Sequence, residues 1–250
     1  MDVLRLRDPE SLSVTVKKTR NIILALALGA ILVLTIVLVG AAAQENRLKS
    51  AAQPPLAGSN ADTKPQGLNL ERRIPSDPMA VGTVDAPVVM IEYSDFHCPY
   101  CGVYARKTQP EIIKKYVDSG QLRIEWRDLP VLGEASVNAA VAARAAGEQG
   151  LFWQFNEAVY AAAPEKGKGD LSDPTLLALA EKAGVPDMAK FASDLKKPEL
   201  LALVKADLAE GTQLGLNSTP TFVINNQSIP GAQPMEVFTQ VIDEALAKVK

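Results

Sequence analysis

The chain has 250 residues, of which 47% are hydrophobic and 22% charged, and a formal net charge of −3. That length allows one or two domains. The slightly acidic balance excludes a nucleic-acid binder, which needs a basic stripe, and it is too small to specify a charged partner.

After an N-terminal tail over 1–21, the first distinct element is "NIILALALGAILVLTIVLVGAAA". Ile22 to Ala43 gives 22 residues without a charge. As a helix it would reach roughly 33 Å, enough to cross a bilayer core of about 30 Å. A secretory signal has a shorter apolar region of roughly 7–15 residues, although "AAAQ" at 41–44 resembles a cleavage site and leaves processing as the alternative. Lys17, Lys18 and Arg20 precede the run, whereas Glu45 partly balances Arg47 and Lys49 after it. That bias places the N-terminus in the cytoplasm. The expectation is a single-pass signal anchor in the cell membrane, with everything after residue 43 extracytoplasmic.

Residues 44–75 are rich in Pro, Gly, Ala, Asn and Gln without a sustained apolar period, which predicts a flexible tether. The remainder, 76–250, is long enough to bury a core without disulfide staples. "APVVMIEYSDF" (86–96) reads as a central strand. From Pro99 to about Ser119 the spacing is helical, and Gly120 closes the helix. "QLRIEWRDLP" (121–130) alternates Leu122, Ile124 and Trp126 against Arg123, Glu125 and Arg127, predicting a half-buried strand and completing a βαβ unit.

An Ala-rich helical stretch from Glu134 to Ala163 follows, then the "PEKGKGD" loop. Helices are predicted over 173–184 and 186–196, the first with Pro174 in its opening turn. Another runs from Pro198 to near Gly215. "PTFVINNQSIPG" reads as two short strands joined at Asn225–Asn226, and "PMEVFTQVIDEALAKVK" as a terminal amphipathic helix. The order β-α-β, helical block, β-β-α predicts an α/β sheet with an all-helical insertion at about 131–215, and no internal repeat has a fixed period.

The chemistry concentrates in "YSDFHCPYCGVYAR" (93–106), which holds the only two cysteines and the only histidine. Cys98 and Cys101 flank Pro99 and Tyr100 at a strand-to-helix junction. Positions i and i+3 in a first helical turn meet the ~4.4–6.8 Å Cα spacing of a disulfide. Pro99 suits the first helical position, which puts Cys98 at the N-cap, where free N–H groups and the helix dipole favour a thiolate. Cys98 is therefore the expected attacking sulfur and Cys101 the resolving one. A structural disulfide closing so short a loop would constrain the unfolded chain little. A zinc site needs four ligands, and the pair plus His97 supplies three at best, so no metal is expected. His97 can stabilise the Cys98 thiolate when charged, or be an exposed polar residue with little role. Tyr100 lies beside both sulfurs, and Trp126 and Trp153 are expected in the core.

"VDAPVVMIEYSDFHCPYC", together with "STPTFVIN" (218–225) and "GAQP" (231–234), resembles the DsbA-like thiol-disulfide oxidoreductases of the thioredoxin superfamily. The resemblance implies a thioredoxin fold with an inserted all-helical domain, here preceded by one transmembrane helix. It implies a cis bond between Thr219 and Pro220, turning the Thr219 backbone toward the sulfurs where an extended substrate can add as a strand. It also implies that Glu92 is a buried acid whose raised pKa lets it exchange a proton with Cys101; a solvent-facing strand glutamate is the alternative. Pro99, Tyr100, Thr219 and Pro220 would contact substrate.

The implied activity is oxidation of cysteine pairs in exported proteins. Reduced protein would be returned by a membrane reoxidant of the DsbB or vitamin K epoxide reductase type. No cofactor is needed, since the sulfurs carry the electrons. The rivals are a reductase or isomerase using the same site, and a tethered holdase or peptide-binding protein. Isomerases of this superfamily commonly dimerise through a separate domain; 44–75 is too polar to build one, so a monomer is expected.

Overall fold

The computed structural model describes residues 69–249. The expected tail, the apolar run 22–43 and most of the tether lie outside the described residues. Among the described residues no helix is long and apolar enough to cross a membrane.

The described chain builds β1 (Ala80–Val81), β2 (Val88–Ser94), α1 (Pro99–Lys107), α2 (Gln109–Ile112) and β3 (Leu122–Asp128). The insertion follows as α3 (Glu134–Gly147), α4 (Phe152–Ala162), α5 (Asp173–Lys182), α6 (Met188–Asp194) and α7 (Pro198–Gln213). The chain closes with β4 (Thr221–Ile224), β5 (Gln227–Pro230) and α8 (Met235–Lys248). The sheet order is β1-β3-β2-β4-β5. β2 and β3 are parallel, with Val88 opposite Leu122 and Ser94 opposite Asp128. β4 runs antiparallel to β2, with Glu92 opposite Phe222, and β5 returns beside β4. Asn225 and Asn226 both take positive φ, of 52° and 66°, as a tight hairpin requires.

β2 is buried along its whole length because it is central and covered on both sides. Val88 and Met90 face Tyr104, Ile112, Phe222, Phe238 and Ile242, while Val89, Ile91 and Tyr93 face Leu129, Leu208 and Leu214. Alternation along the strand then puts Glu92 and Ser94 on the side of Met90, beneath α1. α3 meets its neighbours through Ala139, Ala140, Ala142, Ala143, Ala145 and Ala146, all buried, whose small side chains let helices approach closely.

Three expectations are corrected, and one strand, β1, had no counterpart among them. The helix predicted over 99–119 breaks at Thr108, because Pro110 has no N–H to give to the Arg106 carbonyl; a π-helical turn over Ile113–Val117 completes it. The Ala-rich stretch is two helices, parted where Gly150 takes φ +77°. β1 has no strand signature beyond two residues; it forms because Gly82, at φ +97°, turns the chain where a Cβ would lie 2.5 Å from the Leu122 carbonyl oxygen.

The third correction concerns β3, which is fully buried rather than half-buried. Its charged side is covered by residues 70–74, the end of the stretch expected as a tether, which here packs on the sheet. The Glu125 carboxylate accepts the backbone N–H groups of Arg72 (2.9 Å) and Arg73 (2.8 Å). Arg127 and Arg123 donate to the carbonyls of Leu70 (3.2 Å) and Ile74 (2.9 Å). From α7, Asp207 accepts the Arg72 and Arg144 guanidinium groups, and Arg144 also donates to Asp128. Each of these carboxylates accepts from more than one donor and the arginines bridge between them, which is how so many charges sit in an interior.

A candidate dithiol site

β2 ends at Ser94, and residues 95–97 turn the chain into α1. Asp95 makes that turn: its carboxylate accepts the backbone N–H of His97 (2.8 Å) and of Leu132 (3.1 Å), and its carbonyl accepts that of Cys98 (3.0 Å). Cys98 is the N-cap residue, at φ −86° and ψ 121°, and Pro99 opens the helix. No acidic residue in the first turn competes for the free N–H groups.

The sulfurs differ in environment. Cys98 is 7% exposed, Cys101 not at all, and they are not bonded to each other. The Cys98 thiol is pushed down to about 6, first by the hydrogen bond with Cys101. Burial opposes this, and Thr219 with the backbone N–H groups of Cys101 and Tyr100 adds to it. Burial pushes the Cys101 thiol well up, reinforced by the hydrogen bond and charge of Cys98; the Ser94 hydroxyl and the Asp95 backbone N–H oppose the rise. Negative charge therefore settles on the outer sulfur.

Opposite the pair, the Thr219–Pro220 bond is cis, and the Thr219 carbonyl lies 3.3 Å from the Cys98 sulfur. Pro220 is buried, and its carbonyl accepts the Gly231 N–H at 2.7 Å. Tyr100 projects outward at 66% exposure, while Pro99 is half-buried. Cys98 thus lies beside Thr219 at the edge of the surface that Tyr100 reaches, while Cys101 and Pro220 are buried.

Glu92 sits behind them, 1% exposed, with a carboxyl raised to about 8 by burial against a weaker opposing bond from Ser94. Gln109 donates to it at 3.2 Å. Because this pKa is raised above the ordinary 4.5, Glu92 leaves stability intact below pH 4.5; stability then falls as pH rises toward 8, because ionisation is easier in the unfolded chain. Glu92→Gln should therefore change the melting temperature little at pH 4 and raise it by on the order of 5 °C at pH 8, which calorimetry at the two pH values checks.

His97 is placed differently from the expectation. Its Nε2 bonds the Gly169 carbonyl in the insertion at 3.0 Å, and its Nδ1 is buried without a partner among the described residues. It ties the active-site turn to the 164–170 loop. Trp126 is core, 4.9 Å from the Phe96 ring centroid, and Trp153 is partly buried. Sequence reasoning passed over Ser94, Asp95 and Tyr160. Only Ser94 left a signal, sitting two positions after Glu92 on a strand and so sharing its face. Among the described residues, no cluster of three His, Cys, Asp or Glu residues can hold a metal ion.

Residues 75–244 match the thioredoxin family model. The chain is 27% identical to the probable disulfide bond formation protein D of Bacillus anthracis, over 69% of this chain and 80% of that one. The structure of α-DsbA1 from Wolbachia pipientis superposes with a TM-score of 0.58 at 25% identity, covering 68% of this chain and 92% of that one. A Na(+)/H(+) antiporter NhaA 1 of Salinispora arenicola is 30% identical over 71% of this chain, but the chain spans only 26% of that relative's length. The likeness there concerns one portion of a longer protein. The chain belongs to the thioredoxin family, and the resemblance to its DsbA-like branch holds.

Proposed function

We propose that this member of the thioredoxin family is a thiol–disulfide oxidoreductase that oxidises cysteine pairs in exported proteins through a Cys98–Cys101 cycle. The observation that carries the reading is the asymmetry of the two sulfurs: Cys98 favours the thiolate at the helix N-terminus, and Cys101 favours the thiol in the interior. In the disulfide form, a substrate thiolate attacks the Cys98 sulfur and the Cys98–Cys101 bond breaks. Cys101 leaves with the electron pair and takes a proton, for which the buried Glu92 carboxyl, raised to about 8, is the proposed donor. The substrate's second thiolate then attacks its own sulfur in the mixed disulfide, and Cys98 leaves as a thiolate. The substrate has lost two electrons and the protein holds them as a dithiol.

Direction follows from which form is favoured. A stabilised Cys98 thiolate favours the reduced protein, which makes the disulfide a stronger oxidant; sites of this type span about 150 mV, or roughly five decades in equilibrium constant. The carbonyl of Thr219 faces the sulfur in a position to pair with an extended substrate. The relatives named for disulfide bond formation support the oxidative direction. The apolar run at 22–43 supports attachment to the cell membrane with this domain outside it, where disulfides persist. A membrane reoxidant of the DsbB or vitamin K epoxide reductase type would complete the cycle.

The test is a reduced peptide with two cysteines, incubated with stoichiometric oxidised protein. Rapid, near-complete peptide oxidation with one disulfide transferred per protein is expected. Oxidised peptide accumulating only slightly, while reduced protein readily reduces insulin, would assign the site to a reductase.

A further inference from the structure

Glu92 Oε2 accepts a hydrogen bond from the Gln109 side-chain amide at 3.2 Å, in the interior. Two features of the fold bring these residues together. β2 and β3 are parallel, so α1 and α2 carry the chain back along β2, and a residue beyond Cys101 then stands over a strand position before Ser94. The helix also breaks at Thr108, ahead of Pro110, and Gln109 opens α2 with only 6% of its surface exposed.

On its other side Gln109 meets a different environment. With Arg106, Pro110, Trp153, Asn156 and Tyr160 it lines an open groove of about 840 Å³ between α1, α2 and α4. Glu92 is not part of that wall, so the Gln109 side chain separates the buried carboxyl from the groove. In a neutral carboxyl the carbonyl oxygen is the better acceptor, and with Oε2 held by Gln109 the proton sits on Oε1. Once that proton leaves, a carboxylate remains in the interior, where a charge without partners is costly. The bond from Gln109 then strengthens, because its acceptor is ionised.

We propose that Gln109 is a positioning residue for the proton transfer to Cys101: it holds one oxygen of Glu92, supports the carboxylate that the transfer leaves, and closes the acid off from the groove. The proposal rests on the thiol–disulfide exchange reading above, with Glu92 as the proton donor. As the Cys98–Cys101 bond breaks, its electron pair stays on the Cys101 sulfur. The Glu92 proton passes to that sulfur, giving a Cys101 thiol and a Glu92 carboxylate, and Gln109 is unchanged. The phenols of Tyr104 on α1 and Tyr160 on α4 also feel the charge on Glu92, but burial holds both protonated well above the ordinary range, so neither titrates where Glu92 does.

The first test needs no turnover. Infrared spectra of the reduced full-length protein, with those of Glu92→Gln subtracted, isolate the Glu92 carboxyl band and its conversion to carboxylate with pH. Gln109→Met, which keeps the length but loses the donor, should move the carboxyl band to higher frequency and raise the conversion midpoint by about one pH unit. Gln109→Ala, which opens Glu92 to the groove, should lower the midpoint, because burial is what raises it. The second test is stopped-flow reduction of the oxidised protein by a dithiol peptide, normalised to the peptide thiolate. Its rate should fall at the shifted pH in each variant, while the Cys98 thiolate titration stays in place. A residue that only packs would change the melting temperature and move neither band nor midpoint. An unmoved band and midpoint in Gln109→Met would overturn the positioning role, whatever the stability, and a raised midpoint in Gln109→Ala would overturn the closure. A shifted band in a protein whose wild type exchanges no disulfides would overturn the exchange reading, and the positioning role with it.

Discussion

Cys98→Ser should reduce peptide oxidation and insulin reduction to the uncatalysed background, while the folded protein stays as stable as the reduced wild type. The reason is geometric. Cys101 is fully buried and its thiol is held protonated, so the only sulfur that a substrate thiolate can meet is Cys98, beside the Thr219 carbonyl. A hydroxyl in its place neither forms a disulfide nor leaves as a stable anion at neutral pH. Cys101→Ser should differ in kind: Cys98 still attacks, but the mixed disulfide has no resolving thiol and accumulates, visible as a covalent adduct by mass spectrometry without reductant. A tethered holdase would suppress aggregation equally well with either substitution. Retained oxidation by Cys98→Ser would sink the proposed cycle.

Asp207→Ala should lower the free energy of unfolding by roughly 3–5 kcal/mol, the cost of leaving a buried charge uncompensated. Asp207 is 1% exposed and accepts two guanidinium groups, from Arg72 at the start of the domain and Arg144 in α3, as well as the Asp128 N–H. Its loss leaves the Arg144 guanidinium with Asp128 alone and that of Arg72 with Glu210 alone. Urea unfolding should show a lower midpoint with an unchanged slope, since the folded state stays compact. Asp207→Asn keeps acceptor oxygen but not charge and should fall between. Exchange activity per folded molecule should survive, because none of these side chains bonds either sulfur. A change below 1 kcal/mol for Asp207→Ala would mean that solvent reaches this network.

These two predictions differ in how far they could be read from sequence. The dithiol is a local signal: strand, N-cap cysteine, proline and second cysteine fall within one stretch, and backbone geometry alone separates the outer sulfur from the inner. The hairpin at Asn225–Asn226 and the terminal helix were legible for the same reason. The network around Asp207 was not, because its members stand 63 and 135 positions from their partners. The alternation in β3 gave the right strand, but not that its charged side faces backbone carbonyl and N–H groups of residues 70–74 and the Glu210 carboxylate of α7 rather than water. Pro110 and Gly150 were visible as breakers, yet the apolar spacing on either side ran through them. Tyr160 was silent for a different reason: a tyrosine in a helix gains meaning only once α4 closes over the end of β2. His97 stood between two readings in the sequence, and its bond to the Gly169 carbonyl was not legible there because the partner is 72 positions away.

The most direct measurement is thiolate absorbance of the reduced protein against pH, with Cys101→Ser as the single-thiol control. One thiolate should appear with a midpoint near 6 and be assigned to Cys98 by its loss in Cys98→Ser; a midpoint at the ordinary value of about 8.5, or two thiols titrating together, would contradict the division of charge on which the proposed chemistry stands.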